Sequence, residues 1–124
     1  MVRIVMGALV FTMATSSAAL AADGDPVKGA SVFQQCQLCH NATKNGGNGL
    51  GPNLFGVVGR KAASLPSFYY SPALKNSKIV WSEAMLRKWV AGPAKIVPGT
   101  RMVFAGLSNR RDVDDVVAFL KTKK

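Results

Sequence analysis

The chain has 124 residues, of which 48% are hydrophobic, and 16 basic residues against 6 acidic ones give it a formal net charge of +10. This length allows one small domain, which buries too little surface to be robust without a disulfide, a metal or a cofactor. The two cysteines can form only one bridge, and the positive charge favours acidic partners, whereas no motif for binding nucleic acid is visible.

The first residues, 1–22, have the three-part layout of a cleaved secretory signal peptide. Arg3 precedes an apolar run, and the small residues that follow end in an A-x-A cleavage pattern at Ala19–Ala21. An uncleaved anchor is the alternative, but the apolar run is short for a membrane span. We therefore expect cleavage after Ala21 or Ala22, export to the periplasm, and a single domain over residues 23–124.

The charge of residues 23–124 is unevenly distributed. Loss of Arg3 leaves 15 basic and 6 acidic residues, a net charge of +9. No acidic residue occurs from Pro26 to Ser82, where the basic residues are Lys28, Lys44, Arg60, Lys61, Lys75 and Lys78. This pattern predicts a positive face that steers an acidic partner.

Helices are predicted for Asp25 to about Cys39 and for Ser82 to Val90. Asp25 is a good N-cap and the next residue is proline, which fits the first helical position. Ser82 is the N-cap of the second helix, and its apolar residues recur at helical spacing.

A third helix is predicted for Arg110 to Thr122, capped by Asn109, with aspartates in its first turn and lysines at its end. A shorter helix is possible around Ser71 to Asn76. No segment alternates like a strand, so we expect an all-α fold whose long loops wrap a large cofactor.

Cys36, Cys39 and His40 are the only cysteines and the only histidine, and they form a Cys-x-x-Cys-His motif. A structural zinc site is disfavoured because it needs four ligands, and a thiol–disulfide redox site is disfavoured because it normally follows a strand. Covalent haem attachment fits best, since two sulfurs on one helical face can bond a porphyrin edge and the imidazole can bind iron.

The sixth ligand of such an iron cannot be a second histidine. Methionine, lysine, water or no ligand remain open. Of the methionines outside the signal segment, Met85 lies on a predicted apolar helix face, whereas Met102 lies in a turn-rich loop and can be aimed at a ligand. Methionine opposite histidine raises the reduction potential and fills the coordination sphere, which points to electron transfer.

The segments "CQLCH", "GPNLFGVVGR", "KIVW" and "PGTRMVFAGL" with the closing helix resemble those of class I c-type cytochromes, of the mitochondrial cytochrome c and bacterial cytochrome c2 type. The resemblance covers essentially all of residues 23–124. It implies the small cytochrome c fold, with three main helices and a short one wrapped around one covalently bound haem.

The same resemblance implies a soluble one-electron carrier and not an enzyme. It implies a monomer with at most peripheral membrane contact and no nucleic acid partner, which docks on acidic surfaces of redox complexes such as an oxidase, reductase, reaction centre or dehydrogenase. The alternative is a haem c enzyme or sensor with a weak sixth ligand, acting as a peroxidase or binding a gas.

The resemblance also implies roles for individual residues. Cys36 and Cys39 carry the thioethers, His40 and Met102 ligate the iron, and the Pro52 carbonyl accepts the His40 Nδ1 proton. The further positions are Arg60, Tyr70 and Trp81 at the haem propionates, Thr100 near the buried propionate, Phe104 at the exposed haem edge, and Gly29, Phe33, Val116 and Phe119 where the first and last helices cross. Three residues depart from the mitochondrial pattern: Trp89 replaces a tyrosine near the methionine sulfur, Leu74 an asparagine and Phe55 a histidine.

Overall fold

The computed structural model describes residues 24–124, so the predicted signal peptide, 1–22, lies outside the described residues. The described chain forms five helices: α1 (Pro26–Phe33), α2 (Pro72–Ser77), α3 (Glu83–Ala91), α4 (Pro93–Ile96) and α5 (Arg110–Lys121). Within residues 24–124 the only β-type pairing is one antiparallel bridge between Lys61 and Val80. The all-α prediction is confirmed. The helices in this range are all too short or too polar to cross a membrane.

Local side-chain caps fix where the longer helices begin. Asp25, Ser71, Ser82 and Asn109 each accept a hydrogen bond from a backbone N–H two or three residues later. These caps satisfy N–H groups that have no partner within the helix. The starts of α1, α2, α3 and α5 therefore lie at or within a residue of their predicted positions.

The end of α1 was predicted wrongly. The α-helix ends at Phe33 and not at Cys39, and tight turns continue the chain to Cys39. Two kinds of backbone hydrogen bond alternate there. The Cys36 N–H donates to the carbonyl three residues back, at Phe33, and the His40 N–H donates to the carbonyl four residues back, at Cys36. Helix α4 was not predicted. Only Gly92 separates it from α3, and a proline occupies its first position.

Helices α1 and α5 cross at very close range, at the residues expected. Gly29 is buried, and a Cβ on it would collide with the Asp115 carbonyl and with the Phe119 side chain. The rings of Phe33 and Phe119 lie 5.0 Å apart, and Val116 is 1% exposed beside them. Glycine at position 29 is what allows the two backbones to approach this closely.

Polar contacts hold α5 to the rest of the fold at both ends. The carboxylate of Asp115, 2% exposed, accepts a 2.7 Å hydrogen bond from the Asp25 N–H. On the other side, α3 is joined to α5 by an Arg87 Nε–Asp114 contact of 3.1 Å. The neighbouring Glu83 carboxylate lies 3.0 Å from Lys121 Nζ.

Candidate functional site

His40 occupies a half-buried position at the end of the turn that follows α1. Its Nδ1 lies 2.7 Å from the Pro52 carbonyl oxygen. A carbonyl can only accept, so Nδ1 carries the proton and Nε2 keeps a free lone pair. Burial lowers the pKa of His40, although the bond to Pro52 opposes this shift. The imidazole is therefore neutral at pH 7, which is the form that binds a metal.

The backbone of Gly51 passes directly across the His40 ring. Gly51 N–H donates to the Cys39 carbonyl at 2.9 Å. A Cβ on Gly51 would lie 2.7 Å from His40 Nδ1 and 2.8 Å from Nε2, closer than real Cβ contacts. Glycine is required here because the chain must bring Pro52 back over the imidazole.

Cys36 and Cys39 are half-buried free thiols on the turn just before His40. Burial raises the pKa of Cys36, and the nearby Cys39 raises it further. Two thiols and one neutral imidazole within five residues fit a haem bonded through two thioethers, with iron on the histidine. The donor set of this structure therefore fits a haem c.

Asparagine side chains hold the loop between Cys39 and Pro52. They were not predicted as site residues from the sequence. Asn41 Nδ2 donates to the Gly46 carbonyl at 2.8 Å, and Asn48 Oδ1 accepts from the Asn53 N–H at 2.9 Å. Asn48 Nδ2 also donates to Ser67. The density of asparagine and glycine between positions 41 and 53 was the available signal, since asparagine side chains often bond nearby backbone in turns.

Arg60 holds the same loop from the other side. Its Nη2 donates to the Asn53 carbonyl at 2.9 Å and its Nη1 to the Phe55 carbonyl at 3.1 Å. Burial lowers the pKa of Arg60, and the nearby Tyr70 opposes the shift. The guanidinium thus braces the residues that directly follow Pro52, a contact that the expected propionate role did not include.

Three of the aromatic residues expected around the haem, Tyr70, Trp81 and Trp89, are buried. The hydroxyl of Tyr70 accepts from the Leu65 N–H at 3.3 Å. Trp81 and Trp89 meet edge to face, with ring centroids 5.0 Å apart. The backbone N–H of Trp81 donates to the Arg60 carbonyl at 2.8 Å. In residues 24–124 no hydrogen bond joins the side chains of Arg60, Tyr70 and Trp81 to one another.

Met102 lies in an irregular loop between α4 and α5. Its side chain is half-buried and packs against the hydrophobic core. Thr100 Oγ1 accepts a 3.2 Å hydrogen bond from the Met102 N–H, which fixes the backbone at the methionine. Beyond it, Val103 is fully exposed and Phe104 is half-buried. Met102 and Thr100 therefore lie together, and Phe104 lies on the rim of the same loop.

Comparisons with known proteins identify the family of the chain. The family described as cytochrome c matches residues 26–124. Cytochrome c2 of Rhodomicrobium vannielii is 51% identical over 107 residues, which cover 86% of each chain. Cytochrome c2 of Rhodoblastus acidophilus is 45% identical over 101 residues, covering 82% of this chain and 94% of that protein.

A solved structure shows the same fold. Cytochrome cH from Methylobacterium extorquens is 48% identical and superimposes with a TM-score of 0.76. The match covers 81% of this chain and 100% of that one. The chain therefore belongs to the cytochrome c family, binds haem c covalently, and is an electron carrier and not an enzyme.

Proposed function

We propose that His40 Nε2 and the Met102 sulfur would ligate the haem iron, and that the haem would be bonded to Cys36 and Cys39. The protein then shuttles single electrons between larger redox complexes in the periplasm. The observation that carries this proposal is the 2.7 Å contact between His40 Nδ1 and the Pro52 carbonyl, directly after the Cys-x-x-Cys turn.

The side chains of this chain hold and tune the site, while the haem supplies the one-electron couple. The Pro52 carbonyl fixes the tautomer and orientation of His40 and raises the basicity of Nε2. Thr100 holds the backbone of Met102, and a methionine ligand raises the reduction potential. With a protein side chain on each side of the iron, oxygen or peroxide would have no open position, which would suit electron transfer.

The ligation is tested by the absorption spectrum of the oxidised protein. We expect the weak long-wavelength band of a methionine–iron bond in the wild type and its loss in Met102→Ala. Met85→Ala is a matched control because Met85 also packs against the core and is half-buried. That variant should keep the band. A wild type without the band would contradict histidine–methionine ligation and favour an open sixth position.

The charge distribution supports docking on acidic surfaces of the partner complexes. Among the described residues, Glu83 and Asp114 are engaged by Arg87 and Lys121, and Asp115 is buried. The segment from residue 26 to 82 presents five exposed lysines and contains no acidic residue. We expect the bimolecular rate of electron transfer to fall steeply with ionic strength. A rate independent of salt would contradict electrostatic docking.

Export and removal of residues 1–22 are also proposed. The match to the cytochrome c family begins at residue 26, and the Methylobacterium extorquens structure matches its whole length with 81% of this chain. Both observations support a folded unit that begins near residue 23. The mass of the haem-bearing protein from a periplasmic extract tests the cleavage after Ala21 or Ala22, and sedimentation of the same sample tests the proposed monomer.

A further inference from the structure

Tyr69 is an exposed aromatic residue that carries two cations on its ring. Its side chain is 77% exposed. Lys75 Nζ lies 4.8 Å from the ring centroid, and Arg101 Cζ lies 5.3 Å from it. Both distances are within the range of a cation–π interaction. The ring therefore joins α2, which carries Lys75, to the loop that carries Arg101 and, next to it, Met102.

The backbone under Tyr69 is firmly held. Phe68 and Tyr70 meet edge to face with centroids 4.9 Å apart, and Tyr70 is 5% exposed. Ser71, the next residue, is also buried and caps α2. Phe68 on one side is half-buried, and Tyr70 and Ser71 on the other side are buried, so the backbone at Tyr69 is held in place. The Tyr69 ring therefore stands on a held backbone, whereas the longer arginine side chain has more rotatable bonds.

A second contact places the Met102 loop against α2. Gly99 has a φ of +88°, and a Cβ built on it would lie 3.4 Å from the Ala73 Cβ, which is ordinary van der Waals distance. The loop thus approaches α2 at Gly99 and the Tyr69 ring at Arg101, three and one residues before Met102. Arg101 has no acidic partner among the ion pairs of the described chain. The Tyr69 ring is the group that retains its guanidinium.

We propose that Tyr69 is a positioning residue for Met102, which it holds toward the iron by retaining the guanidinium of Arg101. This inference rests on the proposed ligation by Met102. Loss of the ring frees Arg101, and the loop then spends more time with the methionine away from the iron. Tyr69 acts on the methionine only through its contact with the neighbouring Arg101.

Binding of imidazole to the oxidised haem-bearing protein tests the proposal. Imidazole must displace Met102, so its apparent affinity rises with the fraction of molecules in which the methionine has left. Tyr69→Leu keeps an apolar side chain but removes the π face, and we expect it to bind imidazole about two- to fivefold more tightly than wild type. Tyr69→Phe keeps the ring and should bind as wild type does.

A double-mutant cycle shows whether Arg101 is the route. Arg101→Gln should raise the affinity as much as Tyr69→Leu does, and the double variant should raise it no further. Lys75→Gln is the matched control, because Lys75 contacts the same ring from outside the Met102 loop, and it should leave the affinity unchanged. Effects of Tyr69→Leu and Arg101→Gln that multiply, or a Lys75→Gln variant equal to Arg101→Gln, would overturn the proposal.

The wild-type spectrum separates this inference from the ligation itself. If the oxidised wild type lacks the methionine–iron band, the ligation is wrong and the role of Tyr69 is overturned with it. If the band is present and Tyr69→Leu binds imidazole as wild type does, only the role of Tyr69 is overturned. Unfolding of each variant in denaturant, which should be near wild type, shows that the change in affinity is local.

Discussion

Arg60 donates from its guanidinium to the backbone carbonyl of Asn53 at 2.9 Å, one residue beyond the carbonyl that faces His40. The second nitrogen donates to the Phe55 carbonyl. One side chain thus fixes the loop on which the orientation of the imidazole depends. Since both acceptors belong to the backbone, the contact is insensitive to which side chains stand at 53 and 55.

Arg60→Ala should lower the free energy of unfolding by about 2 kcal/mol, because two charge-assisted hydrogen bonds are lost in a half-buried place. Arg60→Lys keeps the charge but cannot reach both carbonyls, so it should fall between wild type and the alanine variant. Chemical denaturation of the haem-bearing protein measures both. Arg111→Ala, at an exposed position, should change stability by less than about 0.5 kcal/mol. Equal effects at the two arginines would contradict the bracing role.

Gly51→Ala should disturb the histidine directly. The new Cβ would lie closer to the His40 ring than van der Waals contact allows, so the ring or the Pro52 carbonyl must shift. We expect a loss of about 1–3 kcal/mol in the free energy of unfolding, together with an altered absorption spectrum. The exposed neighbour Leu50 supplies the control, and Leu50→Ala should alter neither quantity.

Gly29→Ala tests the crossing of α1 and α5. In an open helix this substitution would stabilise by up to about 1 kcal/mol, because alanine is the better helix former. Here its Cβ meets the Asp115 carbonyl, so we expect destabilisation of about 1–3 kcal/mol instead. Denaturant unfolding gives the sign. Lys28→Ala on an exposed face should be close to neutral, and a stabilised Gly29→Ala would show that the helices can separate at no cost.

Asp115→Ala removes the only described acceptor of the Asp25 N–H. The unsatisfied donor and the lost charge-assisted bond should cost about 2 kcal/mol of folding free energy. Asp115→Asn is the informative partner, because its Oδ1 can still accept from Asp25. That variant should retain most of the stability. If both variants lose the same amount, the charge of Asp115 matters and the hydrogen bond does not.

Glu83→Gln should change the free energy of unfolding only slightly, although two cations lie next to Glu83. The carboxylate lies 3.0 Å from Lys121 Nζ and 3.8 Å from Arg87 Nη2, but all three side chains are about one-third exposed. Solvent-exposed pairs contribute about 0–1 kcal/mol. We therefore expect a loss below about 1 kcal/mol that shrinks further in high salt. Unfolding at low and high salt measures it, and a larger, salt-independent loss would contradict this view.

The sequence was sufficient where the physical cause is local. The caps at Asp25, Ser82 and Asn109 act within three residues, so the helix starts were predictable. The end of α1 was not predictable, because nothing in Gln34–Cys39 forbids a longer helix. The change there to hydrogen bonds that span three residues instead of four depends on tertiary packing. Helix α4 was missed because a helix of four residues that begins with proline gives too short a pattern.

The site divides in the same way. The Cys-x-x-Cys-His motif is contiguous and could be read directly. Arg60 was expected at a propionate, and the structure adds its bonds to two backbone carbonyls, which no side-chain pattern reveals. The contact between Tyr69 and Arg101 joins residues 32 positions apart in separate loops, so only the folded chain brings it to view.

The crossing of α1 and α5 also sets the order of events as the chain is made. Asp25 and Asp115 are ninety residues apart, and closing a loop of that length costs on the order of 4 kcal/mol in chain entropy. A growing chain therefore exposes the cysteine pair and the histidine well before its last helix exists to cover Phe33. Until that helix is made, the haem-attachment motif lies on a chain that cannot yet form the crossing of α1 and α5.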